Sequence, residues 1–480
     1  MNHKFFELFI IIFNSFIICE ELTFQTQMFK KIHNTTKIES KKNILISPLS
    51  VYQIISLLSN GANGKTQEEI LKTLLIDENI SDKTLDELNS NNENIIKNSG
   101  KIKIANAILS KIELLNSFIN IGKKYDSYIA KLEGVEQVND WCREHTNGKI
   151  TKLIDSLSPD IQIVLLNAIY FYSDWENQFE EVYTRKKNFK NADESISQVD
   201  MMYQTLKYIN YYEDETIQMI ELPYKDNYNL SMIIILPRED KYSSSYDYLN
   251  KENIDFTKLV NNLSKVEEVY FHFPRFEFEY SIQLKDVLKD INMVSAFTTN
   301  ADFSNINSTI SLYVSEIIQR TYIKVTETGT EAAAATGVIM DPTSPGPPEI
   351  TYNMNVNHSF IYMIRDKSIK DVDNNELMLF IGSCNDFSNQ NVSFKYFNNE
   401  EDVINEEDVI NEEDVINEED DSNEEDDSKE EDDSNEKDDS KEEDVNNEKE
   451  DYDNILIIDE TRYIENNLKF ILMFIIIILF

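Results

Sequence analysis

Three apolar runs set the frame of the chain. Residues 161–171 (IQIVLLNAIYF), 230–237 (LSMIIILP) and 376–382 (ELMLFIG) are apolar almost throughout. Such runs predict strands buried on both faces. Residues 266–282 alternate instead, with Val269, Phe271 and Phe273 on one phase, and Pro274 interrupts them. That pattern predicts a half-buried strand disturbed at the proline. Ser47-Pro48-Leu49-Ser50 ahead of VYQIISLLSNG predicts a cap, an early proline and an apolar helix ending near Gly61. A second helix is predicted over 67–75. Long strands with irregularly placed helices, and no linker between Leu22 and about Phe387, predict one α+β domain.

Residues 325–350 (VTETGTEAAAATGVIMDPTSPGPPEI) carry a different pattern. Read with period two, Thr330, Ala332, Ala334, Thr336, Val338 and Met340 share one face. Glu331, Ala333, Ala335, Gly337, Ile339 and Asp341 share the other. Every charge between 330 and 341 falls on one phase, as a half-buried strand requires. Alanine is a poor strand former, however, and prolines at 342, 345, 347 and 348 favour an exposed loop. Without context, a small-residue helix followed by a Pro-rich linker is the plainer reading. The same residues are patterned to become a strand.

Charge divides the chain. Its 480 residues have a formal net charge of −43, which argues against nucleic acid as a partner. Residues 399–453 hold 31 acidic and four basic residues in six-residue units, NEEDVI drifting to NEEDDS and KEEDDS. They carry −27 of the total, and the later units have nothing apolar to stack. Residues 391–454 are therefore expected to be a disordered acidic tail. Residues 1–19 have the length and apolar centre of a signal peptide, so the chain is expected to be secreted. The 455–480 segment ends in eleven apolar residues, too few to span a bilayer. Membrane attachment through it and removal with a lipid anchor are both open readings. Sequons at Asn34, Asn79, Asn229, Asn262, Asn307, Asn357 and Asn391 make a glycoprotein plausible.

Enzyme signatures fail. There is no GxSxG, HExxH or GxGxxG, and the five histidines are scattered. Gly61-Ala-Asn-Gly64-Lys65-Thr66 mimics the end of a phosphate loop but follows a helix and has Ser59 where glycine is needed. Cysteines at 19, 142 and 384 exclude a disulfide-rich scaffold and a CxxC zinc site. No cofactor, metal or catalytic residue is expected.

Eight segments, in order, give the chain a family resemblance. They are NILISPLSVYQIISLLSNGANGKTQEEI (43–70), VNDWCREHTNGKITKLI (138–154), IVLLNAIYFYSDWENQFE (163–180) and MIELPYKDNYNLSMIIILP (219–237), followed by FPRFEFEYSIQLKDVL (273–288), ADFSNI (301–306), ETGTEAAAAT (327–336) and LMLFIGSCNDF (377–387). Over about 20–390 the chain resembles a serpin of the inhibitory type. The resemblance implies a large central sheet with further sheets, surrounding helices and an exposed reactive loop. It implies a monomer that acts as a suicide substrate: a protease cuts the loop, an acyl-enzyme forms, and the loop inserts into the sheet as a strand.

Site residues follow from the resemblance. Gly329, Thr330, Glu331, Ala332, Ala333, Ala334, Ala335 and Thr336 match the hinge. Spacing from Gly329 puts the reactive bond at Thr343–Ser344, whereas counting back from Pro347 gives Ser344–Pro345; proteases cut poorly before proline, so the first is preferred. A small residue there suits an elastase-like or subtilisin-like serine protease, and a papain-like cysteine protease also fits. Glu327 and Arg275 match an ion pair where insertion begins, with Trp175 beside them. Ser50 and Asn167 match polar residues beneath the sheet, with Gln319 where a histidine is expected. Ser359 stands where a proline normally precedes Phe360. Two rivals remain: a carrier or chaperone serpin that does not inhibit, and a surface protein whose acidic tail does the work.

Overall fold

The computed structural model describes residues 22–35, 42–76, 82–99, 101–330 without 226, 228 and 253, and 351–388 without 372. The expected leader, the acidic tail, the C-terminal apolar segment and the sequons at Asn79 and Asn391 lie outside the described residues. So do the hinge from Glu331 to Thr336 and the reactive bond Thr343–Ser344. By its contacts the chain divides at Glu400, and the fold below belongs to the first unit, Met1–Glu400.

In chain order come α1 (Phe24–Thr35), β1 (Ile44–Ile46), α2 (Pro48–Ser59), α3 (Gly64–Thr73), α4 (Asp82–Ser99) and β2 (Ile102–Ser110). Next are α5 (Asn116–Lys124), β3 (Ser127–Lys131), α6 (Val135–His145), β4 (Ile163–Phe171) and β5 (Ser173–Asp174). Then follow β6 (Arg185–Lys190), β7 (Ile196–Glu213), β8 (Ile217–Pro223), β9 (Leu230–Pro237), α7 (Ser245–Lys251) and α8 (Phe256–Leu259). The chain continues with β10 (Ser264–Pro274), β11 (Phe276–Gln283), α9 (Lys285–Asp290), β12 (Val314–Val325) and β13 (Gly329–Thr330). It closes with β14 (Thr351–Asn355), β15 (Phe360–Lys370) and β16 (Glu376–Cys384). One sheet runs β1-β16-β15-β9-β8-β7-β10-β14, with β6 also on β7. The other runs β3-β2-β4-β12-β13-β5, with β11 also on β12. Helices and two mixed sheets make this the expected α+β class.

The apolar runs behave as their composition dictates. Every residue of β4 and β9 is buried, as both-face burial requires. All twelve residues of α2 are buried too, so this helix lies inside the domain. Its N-cap is the expected Ser47, whose side chain accepts from the Ser50 N–H, with Pro48 in the first turn. The second helix starts three residues earlier than its pattern predicts. Gly64, with φ +51°, lets the chain turn in from Asn63, whose N–H is held by the Asp302 carbonyl at 2.9 Å.

The alternating run 266–282 resolves into two strands of different sheets. β10 ends at Pro274 and β11 begins at Phe276, so Arg275 is the corner between them. Val269, Phe271 and Phe273 are fully buried on one face, as their phase requires. Ser359 has its own explanation. Its hydroxyl accepts from the Ser245 N–H at 3.0 Å and donates to Asn385 Oδ1 at 2.6 Å, inside the core. A proline there would leave both groups without this partner.

Candidate functional site

The centre of the seven-stranded sheet has a seam. β4 and β12 pair in parallel from Val314↔Ile163 to Tyr322↔Tyr170. Beyond that last pair β13 lies between the strand lines. It pairs antiparallel with β12 through Val325↔Thr330, and with β5 through Gly329↔Asp174 and Thr330↔Ser173. Gly329 is obligatory here, since a Cβ would come within 2.2 Å of the Ser173 carbonyl oxygen. The seam is covered on its outer face. Val138, Trp141 and Cys142 of α6 share an apolar cluster with Leu166, Tyr170, Ile318 and Tyr322.

Glu327, Arg275 and Trp175 meet at the open end of the seam. The Trp175 N–H donates to the Thr328 carbonyl and the Phe179 N–H to the Glu327 carbonyl, both at 2.9 Å. The Trp175 indole Nε1 donates to the Thr326 carbonyl at 3.0 Å. The Glu327 carboxylate, 2% exposed, pairs with the Arg275 guanidinium and accepts from Thr184 Oγ1 at 2.6 Å. Burial alone would raise its pKa. Hydrogen bonds from Arg275 and Thr184 outweigh that, so the carboxyl lies below the usual glutamate range.

Ser50, Asn167 and Gln319 meet under the middle of the seam, all fully buried. Gln319 Oε1 accepts from the Ser47 N–H at 2.9 Å. Gln319 Nε2 lies 2.7 Å from Asn167 Oδ1 and 3.1 Å from both Ser50 Oγ and the Ser47 carbonyl. Ser50 Oγ donates to Asn167 Oδ1 at 2.8 Å, and Asn167 Nδ2 to Asn106 Oδ1 at 2.7 Å. One amide thus ties β12 to β4 and both to the start of α2. It is wholly satisfied, which is what lets polar groups sit at a buried strand junction.

The model of one family, Serpin (serine protease inhibitor), matches residues 20–387. The chain belongs to the serpin family. Among its relatives, the leukocyte elastase inhibitor of Xenopus laevis is 31% identical over 377 residues, covering 72% of this chain and 94% of that protein. Iripin-5 of Ixodes ricinus is 31% identical over 364 residues, covering 72% and 89%. Among solved structures, the thermophilic serpin tengpin in its native state has a TM-score of 0.66 at 28% identity, covering 76% of this chain and 92% of tengpin. Serpin48 of the insect Tenebrio molitor has a TM-score of 0.61 at 27% identity, covering 76% and 96%.

In this serpin the six residues expected to govern the sheet fall into two clusters, three at the open end of the seam and three beneath its middle. Gln319 fills the histidine position with four hydrogen-bonding contacts and no titratable group. Three participants were not legible in the sequence. Thr184, on the approach to β6, reaches Glu327, and Ser47 contributes its backbone to the Gln319 amide. Tyr224, just past β8, places its hydroxyl 2.7 Å from Thr330 Oγ1. A lone tyrosine after a proline carries no pattern of its own.

Proposed function

We propose that this serpin is a secreted inhibitor of an elastase-like or subtilisin-like serine protease, acting as a suicide substrate. The observation that carries the reading is the seam itself. β4 and β12 are paired directly, with the two-residue β13 between the strand lines at one end. A strand entering from there would run antiparallel to both neighbours and bring small residues, Ala332 and Ala334, onto the face already begun by buried Thr330. That face presents no charge whose burial would oppose entry.

The chemistry begins at Thr343–Ser344. The protease serine oxygen bonds to the Thr343 carbonyl carbon, the bond to the Ser344 nitrogen breaks, and that nitrogen leaves with a proton. An ester remains on the protease. Insertion then competes with hydrolysis of the ester, and fast insertion carries the protease along before water can release it. The name of the frog relative, an inhibitor of leukocyte elastase, supports an elastase-like target. Incubation of the full chain with pancreatic elastase and with subtilisin should give an SDS-stable adduct with the summed mass of the two proteins less the fragment from Ser344 onward. The released C-terminal fragment should begin at Ser344. A cleaved loop without any adduct would sink the inhibitor reading and leave a carrier or chaperone serpin.

A further inference from the structure

We infer that Tyr224 is the positioning residue that seats Thr330, at the base of the loop, in the sheet before any protease arrives. The inference rests on the inhibitory reading above and names a residue that sets its efficiency.

Gly329 and Thr330 already have what an inserted strand needs. Thr330 is paired on one side with Val325 and on the other with Ser173, both antiparallel. These two pairs fix the register of any continuation, because each later residue can only add beyond them in step. The Thr330 side chain is fully buried, and its one hydrogen-bond partner among the described residues is the Tyr224 hydroxyl at 2.7 Å.

Tyr224 is held so that its hydroxyl has no other place to go. Its ring stacks on Trp175, with centroids 4.7 Å apart and planes 14° apart. Phe171 meets it edge-on at 4.9 Å. Its backbone N–H donates to the Leu230 carbonyl at 3.0 Å, and the residue bridges to Trp175 in strand geometry. Tyr224 directly follows β8, a strand of the other sheet. The hinge base is therefore fastened to a framework outside β4 and β12, the two strands that would separate.

A strand that grows from a seated pair avoids the step that costs most, ordering the first residues before any pairing repays them. Removal of the hydroxyl bond leaves a buried Thr330 oxygen without its partner and favours the unseated hinge. Entry should then slow by about five- to tenfold. The acyl-enzyme would survive longer outside the sheet, and more of it would hydrolyse to cleaved, free serpin.

The test compares the full-length wild type with Tyr224→Phe, Thr330→Val and Thr330→Ser. Two readouts are taken: moles of serpin consumed per mole of subtilisin inhibited, and the rate at which loop cleavage by subtilisin raises the melting temperature. Tyr224→Phe and Thr330→Val should raise the consumption several-fold and slow the thermal gain, while Thr330→Ser, which keeps the hydroxyl, stays near wild type. A purely structural role would lower the starting melting temperature of the variants and leave both ratio and rate unchanged. That result overturns the inference alone. Wild-type protein that gives neither adduct nor thermal gain overturns the inhibitory reading, and this inference with it.

Discussion

Gln319→Leu is the sharpest probe of the seam. The substitution keeps the side-chain bulk and deletes an amide that faces Ser47, Ser50 and Asn167. Three of the four contacts involve atoms that retain another partner: Asn167 Oδ1 and Ser50 Oγ keep each other at 2.8 Å, and the Ser47 carbonyl keeps the Val51 N–H at 3.3 Å. The Ser47 N–H does not retain one, because Gln319 Oε1 is its acceptor and the site is sealed. One stranded donor and the lost net bonds together cost about 2–4 kcal/mol. With an unfolding entropy of roughly 2 cal/mol/K per residue, a domain of this size should melt about 3–5 °C lower. Melting is followed by circular dichroism at one fixed scan rate, since unfolding of large proteins is often irreversible. A melting temperature equal to wild type would refute the reasoning. So would strict additivity with Asn167→Leu, because residues of one network must couple.

Three further outcomes are expected. Arg275→Ala leaves the buried Glu327 carboxylate with Thr184 and its own backbone N–H; the cost, discounted because the guanidinium is 40% exposed, is about 2–3 kcal/mol, and adding Glu327→Gln should recover part of it in melting experiments. Burial lowers the pKa of His33 to about 4 against the opposing effect of a hydrogen bond to the Tyr246 backbone, so the unfolded chain takes up that proton first. Stability should therefore fall by about 2–4 kcal/mol as pH drops from about 6.5 to 4, and His33→Gln should flatten that slope in denaturant titrations. Glu221, held at about 2 chiefly by Arg365 against the opposing effect of burial, adds its own loss only as pH falls below about 4.5. Cys142 and Cys384 are fully buried, and burial pushes the first thiol up to about 12 and the second well above the ordinary thiol range. Both should escape iodoacetamide in the native protein and react after unfolding, as mass mapping would show.

Part of the candidate site was legible before the fold was known. The Ser47-Pro48 start of α2, the apolar β4 and the alternation ending at Pro274 all follow local rules, since burial of one or both faces imposes their composition. β12 was not legible. Its residues VSEIIQRTYIKV include Ser315, Gln319, Arg320 and Thr321, all buried, and a pattern of polar residues argues against a buried strand. Each polar group is reconciled by a distant partner: Ser315 by the Gln162 N–H at 2.8 Å, Gln319 by Ser47 and Asn167, Arg320 by Glu279 at 2.9 Å, Thr321 by the Leu45 carbonyl at 2.8 Å. The same holds for Tyr224, whose role depends on a residue 106 positions away.

By itself the sequence determined the α+β class, the buried strands and helix α2, the split of −43 into a body of −16 and an acidic tail of −27, and the small-residue phase that begins at Thr330. Periodicity, capping and charge are local, so a linear reading can reach them. Only the tertiary structure decided where the seam runs, which amide closes it, and that Thr330 is already seated between two strand lines. Those depend on pairing between residues far apart in the chain. A hydrogen bond with its partner 272 residues away, such as that from the Ser47 N–H to Gln319, leaves no period and no spacing to be read.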